Sequence, residues 1–211
     1  MKKVILTLVL VSFLGIPAIM AQKAATGQNK SISDVSLAWE FAQYGYNNSS
    51  ALALITAAQI LYTVPTSTQP QATIDATSPE FSSKQLLDDA KKLAKGDQST
   101  LAMITKVEAD KPEKSRGSQA ELLAYNFKLS AGTSKTYNIT YNGGADAVVS
   151  IKSNSKTTPT IVVKDSKGQT VTTSPGNEPG SVKWTPTKNE LFQVTVKNAD
   201  PDEAKCILIT N

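Results

Sequence analysis

The sequence has 211 residues, a formal net charge of +4, no histidine and one cysteine, Cys206. Without imidazole it cannot assemble Ser-His-Asp or Cys-His nucleophile arrangements, nor the common zinc sites that need histidine. A lone cysteine forms no intramolecular disulfide, so stability has to come from packed cores. Setting aside Lys2 and Lys3 lowers the charge to +2, and the other basic residues are scattered singly, which argues against a nucleic-acid partner.

Residues 1–21 read as a cleavable secretory signal peptide. Met1-Lys2-Lys3 is a short positive start, Val4 to Ile16 is an uncharged apolar run, Pro17 breaks it, and Ala18-Ile19-Met20-Ala21 ends on a small residue. The run is too short for a spanning helix, which needs about 20 apolar residues. No cysteine follows it for lipid attachment. The mature chain, about 190 residues from Gln22, is expected to be exported to the periplasm or beyond, without a membrane span.

Residues 22–32 are small and polar and are expected to be a flexible leader. Residues 33–110 then show helical periodicity. Leu37, Phe41 and Tyr44 fall on one face, Gly45 reads as a C-cap, and Asn48 as the N-cap of a second helix over 50–62. That helix is apolar almost all round and is expected to be central, with Leu52, Ile55, Gln59 and Tyr62 along one side. Thr63 to Pro79, with three prolines, reads as a loop.

Ser82 with Gln85 forms a capping box for a helix over 83–95 that presents Leu86, Leu87, Ala90, Leu93 and Ala94. Gly96 ends it, and Asp97 or Ser99 caps a fourth helix with Leu101, Ile104 and Val107 inward. Leu52-Ala53-Leu54-Ile55-Thr56 echoes Leu101-Ala102-Met103-Ile104-Thr105, which points to two packed helical hairpins. The Pro-, Lys- and Ser-rich segment 111–119 reads as a linker between domains.

From Leu122 the period changes to two, and the second domain is placed at 120–211. Tyr125, Phe127 and Leu129 alternate with polar residues, as do Tyr137, Ile139 and Tyr141. Further short strands are expected at 147–151, 160–164, around 171, and at 182–185, 191–197 and 205–210, with turns between them. This spacing predicts an antiparallel β-sandwich or barrel. The fold class is therefore α+β in two domains: a helical bundle of two hairpins, then an antiparallel β-sandwich. Cys206 lies in the apolar run Cys206-Ile207-Leu208-Ile209 and reads as a buried structural thiol, and Trp184 as an inward sandwich residue.

Four ordered segments carry a resemblance. They are Leu129-Ser130-Ala131-Gly132-Thr133 leading to Tyr137; Ile161 to Gly168; Val182-Lys183-Trp184-Thr185-Pro186; and Phe192 to Asn198. Residues 120–211 resemble the bacterial pre-peptidase C-terminal domain, a small β-sandwich. The helical region resembles the N-terminal part of secreted bacterial proteins that end in such a sandwich. The resemblance implies an accessory module, generally attached to secreted enzymes, with some relatives binding matrix or carbohydrate. Many members carry several aspartates just before the strand matching Ile161. Here residues 154–160 read Asn-Ser-Lys-Thr-Thr-Pro-Thr and offer calcium no carboxylate.

No Gly-x-Ser-x-Gly, phosphate loop or dinucleotide fingerprint is present, so no catalytic residue, cofactor or metal site is assigned. Asp88 and Asp89 are adjacent on a helix, do not face one another, and read as a solvated face. Two surfaces are candidates for a ligand. One is aromatic: Trp39, Tyr44 and Tyr46 could stack on a sugar or peptide, or fill the core. The other is the acidic loop Asp200, Asp202 and Glu203, which reads either as a cation site or as a solvated turn. The expected function is a non-catalytic binding protein whose partner is an exported protein or a surface glycan. The alternative is a hydrolase-type enzyme with a carboxylate site between the domains, using Glu108 or Asp110 with an acid from the sandwich.

Overall fold

The computed structural model describes residues 16–64, 72–75, 78–110, 122–174 and 180–211. Most of the expected signal peptide and the 111–119 linker lie outside them. Four helices occupy the N-terminal half: α1 (Ile16–Asn47), α2 (Ala51–Thr63), α3 (Ser83–Ala94) and α4 (Gln98–Ala109). Two antiparallel sheets occupy the C-terminal half, giving the α+β, two-domain layout expected from the change of period. No described helix is long and apolar enough to cross a membrane.

Residues 22–32 are a correction: they continue α1 rather than forming a flexible leader. Lys23, Ala24, Ala25 and Gln28 favour helix, and only Gly27 strongly opposes it. Gly45 lies inside α1 instead of capping it. A Cβ there would come within 2.5 Å of Leu54 Cδ2, so the glycine lets α2 approach. Ser50, not Asn48, caps α2, its Oγ accepting from the Ala53 amide, while the Asn48 side chain donates to the Tyr44 carbonyl. Ser82 and Asp97 cap α3 and α4 as expected. Helix α2 is central, packing on α1, α3 and α4.

The buried stripe of α1 also differs from expectation. Val35, Ala38, Trp39 and Ala42 face the core, whereas Leu37, Phe41 and Tyr44 are 45%, 38% and 60% exposed. The period is helical, but the neighbouring stripe carries the small alanines that allow close packing. Leu52 of α2 is likewise exposed.

The strands are β1 (Ala72–Asp75), β2 (Leu123–Leu129), β3 (Ser134–Tyr141), β4 (Ala147–Ser153), β5 (Thr160–Lys164), β6 (Thr170–Thr173), β7 (Ser181–Trp184), β8 (Glu190–Lys197) and β9 (Ala204–Thr210). One sheet has the order β1-β3-β8-β5-β6 and the other β2-β9-β4-β7. Strand β1 corrects the expected loop at 63–79: it pairs Ala72–Asp75 with Tyr141–Asn138 and extends the first sheet. The facing sides of the two sheets enclose one core, in which Tyr137, Ile139, Ile161, Val194 and Val196 meet Phe127, Leu129, Val149, Cys206 and Leu208. Trp184 packs edge-on against Tyr141 at 4.9 Å between ring centres.

The outer side of the β2-β9 pair is buried as well. Ala124, Ile207 and Ile209 belong to the helical core together with Trp39, Leu54, Leu86 and Ile104. The molecule thus has three layers, helices, sheet and sheet, with β9 buried on both faces. An ion pair from Glu40 on α1 to Lys152 on β4, 2.9 Å, crosses the same seam. Truncating Ile207 to alanine leaves a cavity between helices and sheet. The expected cost is about 2–5 kcal/mol, read as a lower urea midpoint for unfolding.

Candidate functional site

An open cleft of about 540 Å³ lies where the helical cover of the sheet ends. Three parts of the chain build it. The first is α1, which contributes Trp39, Gln43 and Tyr46. Their spacing of four and three places them on one stripe, along the edge of the buried face. The second is the β2-β9 pair, whose outward residues change in register along the strands. Ala124 lies opposite Ile209, Asn126 opposite Ile207, and Lys128 opposite Lys205. The seam runs from apolar to cationic, and the cleft opens at its cationic end.

The third part is the segment at 78–81. The chain passes from β1 on one sheet to the free edge of β2 on the other. There the Phe81 amide donates to the Ala124 carbonyl (2.9 Å), and the Asn126 amide donates to the Pro79 carbonyl (3.0 Å). This covers a strand edge that would otherwise expose unpaired backbone groups. Ser78 and Pro79 form one wall of the cleft.

Hydrogen bonds hold the walls. Trp39 Nε1 donates to Asn126 Oδ1 at 3.0 Å, which fixes α1 on β2. The Tyr46 hydroxyl donates to Asp89 Oδ2 at 3.0 Å, which fixes the end of α1 on α3. Asp89 also accepts from Gln85 Nε2 (2.9 Å) and Lys92 Nζ (2.7 Å). Burial opposes charge on Asp89, but the bonds from Lys92, Gln85 and Tyr46 outweigh it and hold the carboxyl below the ordinary carboxylate range. Burial, then Asp89, pushes the Tyr46 phenol upward, so it stays protonated. Asp89 is thus a positioning group for the cleft, not only part of a solvated face. Its neighbour Asp88 does lie on the surface, paired with Lys84 at 2.7 Å.

Three lysines complete the lining. Lys128 Nζ lies 3.0 Å from Glu203 Oε1. Lys135 Nζ donates to Ser78 Oγ at 2.7 Å and sits over the Phe127 and Tyr137 rings, 5.7 and 5.3 Å from their centres. Lys205 makes no ion pair among the described residues. Phe127 and Cys206 border the cleft, with both residues buried in the sandwich core. The Cys206 thiol is 1% exposed, and burial pushes its pKa up to about 12, which makes it an inert packing group.

The expected site residues separate. Trp39 and Tyr46 meet in the cleft, whereas Tyr44 is exposed and outside its lining. The acidic loop does not gather around a common centre. The Asp200 carboxylate turns inward and accepts from the Thr157 amide at 3.0 Å, which holds it below its ordinary range. The Asp202 carbonyl accepts from Asn198 Nδ2, and Glu203 turns to Lys128. Among the described residues no three histidine, cysteine, aspartate or glutamate side chains converge as metal ligands. Glu108, proposed for an interdomain carboxylate site, pairs instead with Lys91 across α3 and α4 at 2.7 Å and does not line the cleft. Gln43, Asn126 and the three lysines were not anticipated; their meeting depends on strand register and on which side of α1 packs.

No protein-family model matches the chain, and no curated protein matches it significantly. Among solved structures it is similar to Aeromonas hydrophila PliG, a periplasmic lysozyme inhibitor of g-type lysozyme. That match has 9% identity and a TM-score of 0.35 over 43% of this chain and 84% of that one. It is also similar to a de novo designed double-stranded β-helix, with 16% identity and a TM-score of 0.27 over 42% of this chain and 97% of that one. A cupin-superfamily sugar phosphate isomerase from Silicibacter pomeroyi matches at 14% identity and a TM-score of 0.23, over 46% of this chain and 54% of that one. None of these scores assigns a family or an activity.

Asp89 has a testable electrostatic signature. Its carboxyl is depressed in the folded state, so its contribution to stability is present above the unfolded value of about 4 and is lost as pH falls through the lower folded value. Asp89→Asn keeps the shape and removes the charge. The variant is expected to lose about 0.5–1 kcal/mol at neutral pH, allowing for solvent screening, and to match wild type near pH 2. Urea midpoints at the two pH values measure this.

Proposed function

We propose that this chain is an exported, non-catalytic binding protein. In this reading its sandwich is of the pre-peptidase C-terminal type, and its partner, an exported protein or a surface glycan, engages the cleft between α1 and the β2-β9 pair. The observation that carries the reading is the cleft's construction. Its walls are tied in place by Trp39–Asn126, Tyr46–Asp89 and Lys135–Ser78 bonds before any ligand arrives. Such preorganisation lowers the ordering cost of binding. Aromatic walls with a few placed polar groups are the usual make-up of a ligand site. The signal-like residues 1–21 and the sandwich resemblance support export and an accessory role.

Export is tested by sequencing the N-terminus of protein recovered from outside the cytoplasm of a bacterial host, where Gln22 is expected first. A protein that stays in the cytoplasm contradicts it. Binding is tested by immobilising the processed protein and a Tyr46→Ser/Lys205→Gln variant, then exposing both to exported proteins and surface glycans. The expected result is material held by wild type and depleted at least fivefold on the variant. Equal retention, or none, overturns the cleft as the binding site.

A further inference from the structure

Lys128 and Lys205 are direct cross-strand neighbours on the same face of the β2-β9 pair. Like charges in that position destabilise a sheet. Glu203 answers Lys128 at 3.0 Å, but no carboxylate among the described residues answers Lys205. Lys135 adds a third ammonium, held by the neutral Ser78 hydroxyl and two aromatic rings. The lining therefore carries three ammonium groups and no carboxylate; Glu203 beside it pairs with Lys128, and Asp89 behind Tyr46 pairs with Lys92. An anion seated at Lys205 relieves this imbalance, and the partly apolar surroundings strengthen its attraction relative to open water.

The remaining walls describe the rest of the ligand. Tyr46 and Pro79 offer exposed apolar ring surface, and Gln43, Ser78 and Asn126 offer amide and hydroxyl groups, while Trp39, 3% exposed, stays in the helical core behind them. Asn126 gives its carbonyl oxygen to Trp39 and retains its amide N–H donors. Apolar faces alternating with hydrogen-bonding groups fit a pyranose, which has a C–H face and a rim of hydroxyls. An acidic peptide would use the lysines but leave this mixed wall unmatched. The volume of about 540 Å³ lies within the roughly 300–1,000 Å³ of small-ligand pockets.

We propose that the cleft is a subsite for an acidic sugar, a hexuronate whose carboxylate lies at Lys205 and whose ring packs against Tyr46 and Pro79. This rests on the binding reading above and names the chemistry that the cleft selects. The indole N–H of Trp39, bonded to Asn126 on the cleft wall, is the reporter. Its NMR signal is distinguished from that of Trp184 by a Trp184→Phe variant. The processed protein is titrated separately with glucuronate, glucose, inorganic phosphate and a tetraglutamate peptide.

Glucuronate is expected to shift the Trp39 signal and to bind at least tenfold more tightly than each of the other three. Lys205→Gln is expected to weaken glucuronate about tenfold, while Lys164→Gln, at the exposed end of β5, leaves it unchanged; thermal melts check that both variants stay folded. The proposal is overturned if glucose matches glucuronate, if phosphate or the peptide binds as tightly, if Lys205→Gln binds like wild type, or if glucuronate does not bind. Cleft-dependent capture of a partner without glucuronate preference sinks the acidic-sugar assignment alone. Loss of both sinks the binding reading too.

Discussion

The double burial of β9 is the constraint on which the rest of the structure depends. Cys206 and Leu208 face the sandwich core, and Ile207 and Ile209 face the helices. A sheet of an isolated sandwich presents its outer side to water and alternates apolar with polar residues. Here the outer side of β2 and β9 is apolar at one end and needs a cover, which α1 and its neighbours supply. The helical half likewise gains part of its core from the sheet. Each half completes the other, so the two-domain layout has one continuous seam.

The cleft is a consequence of how that seam ends. Moving along β9 from Ile209 to Ile207 to Lys205, the outward residue changes from buried aliphatic to cation. Helix α1 follows with the same gradient, from Val35 and Ala38 through Trp39 to Gln43 and Tyr46. Where both surfaces turn polar they separate, and the gap is lined by what each leaves behind. The Trp39–Asn126 bond marks the boundary between sealed seam and open cleft. Asp89 on α3 and Ser78 before the β2 edge then hold the outer walls from two other directions.

Much of the fold was legible in the sequence because it rests on local signals. The change from helical to alternating period, the caps at Ser82 and Asp97, and the strand turns are all encoded within a few residues of where they act. What was not legible depends on long-range choice. Helix α1 has two candidate stripes, one with larger apolar residues and one with alanines and Trp39, and only the docked sheet decides between them. Strand β1 sits in a proline-rich stretch that reads as a loop until β3 offers it an edge. The meeting of Lys128 with Lys205 depends on strand register, and Asp89 gains its role only when Tyr46 arrives from α1. One signal was available: the unbroken Cys206-Ile207-Leu208-Ile209 run has no polar alternation, which is the pattern of a strand buried on both sides.

If the seam is shared in this way, helices and sandwich unfold together. The direct measurement is urea unfolding followed by two probes on one sample series. Far-ultraviolet circular dichroism at the helical band reports the helices, and the reaction of the Cys206 thiol with a disulfide reagent reports opening of the sandwich core, where that thiol is 1% exposed. Coincident midpoints are predicted, as for a single cooperative transition. Loss of helical signal at distinctly lower urea, with Cys206 still protected, would contradict a common core and with it the origin of the cleft.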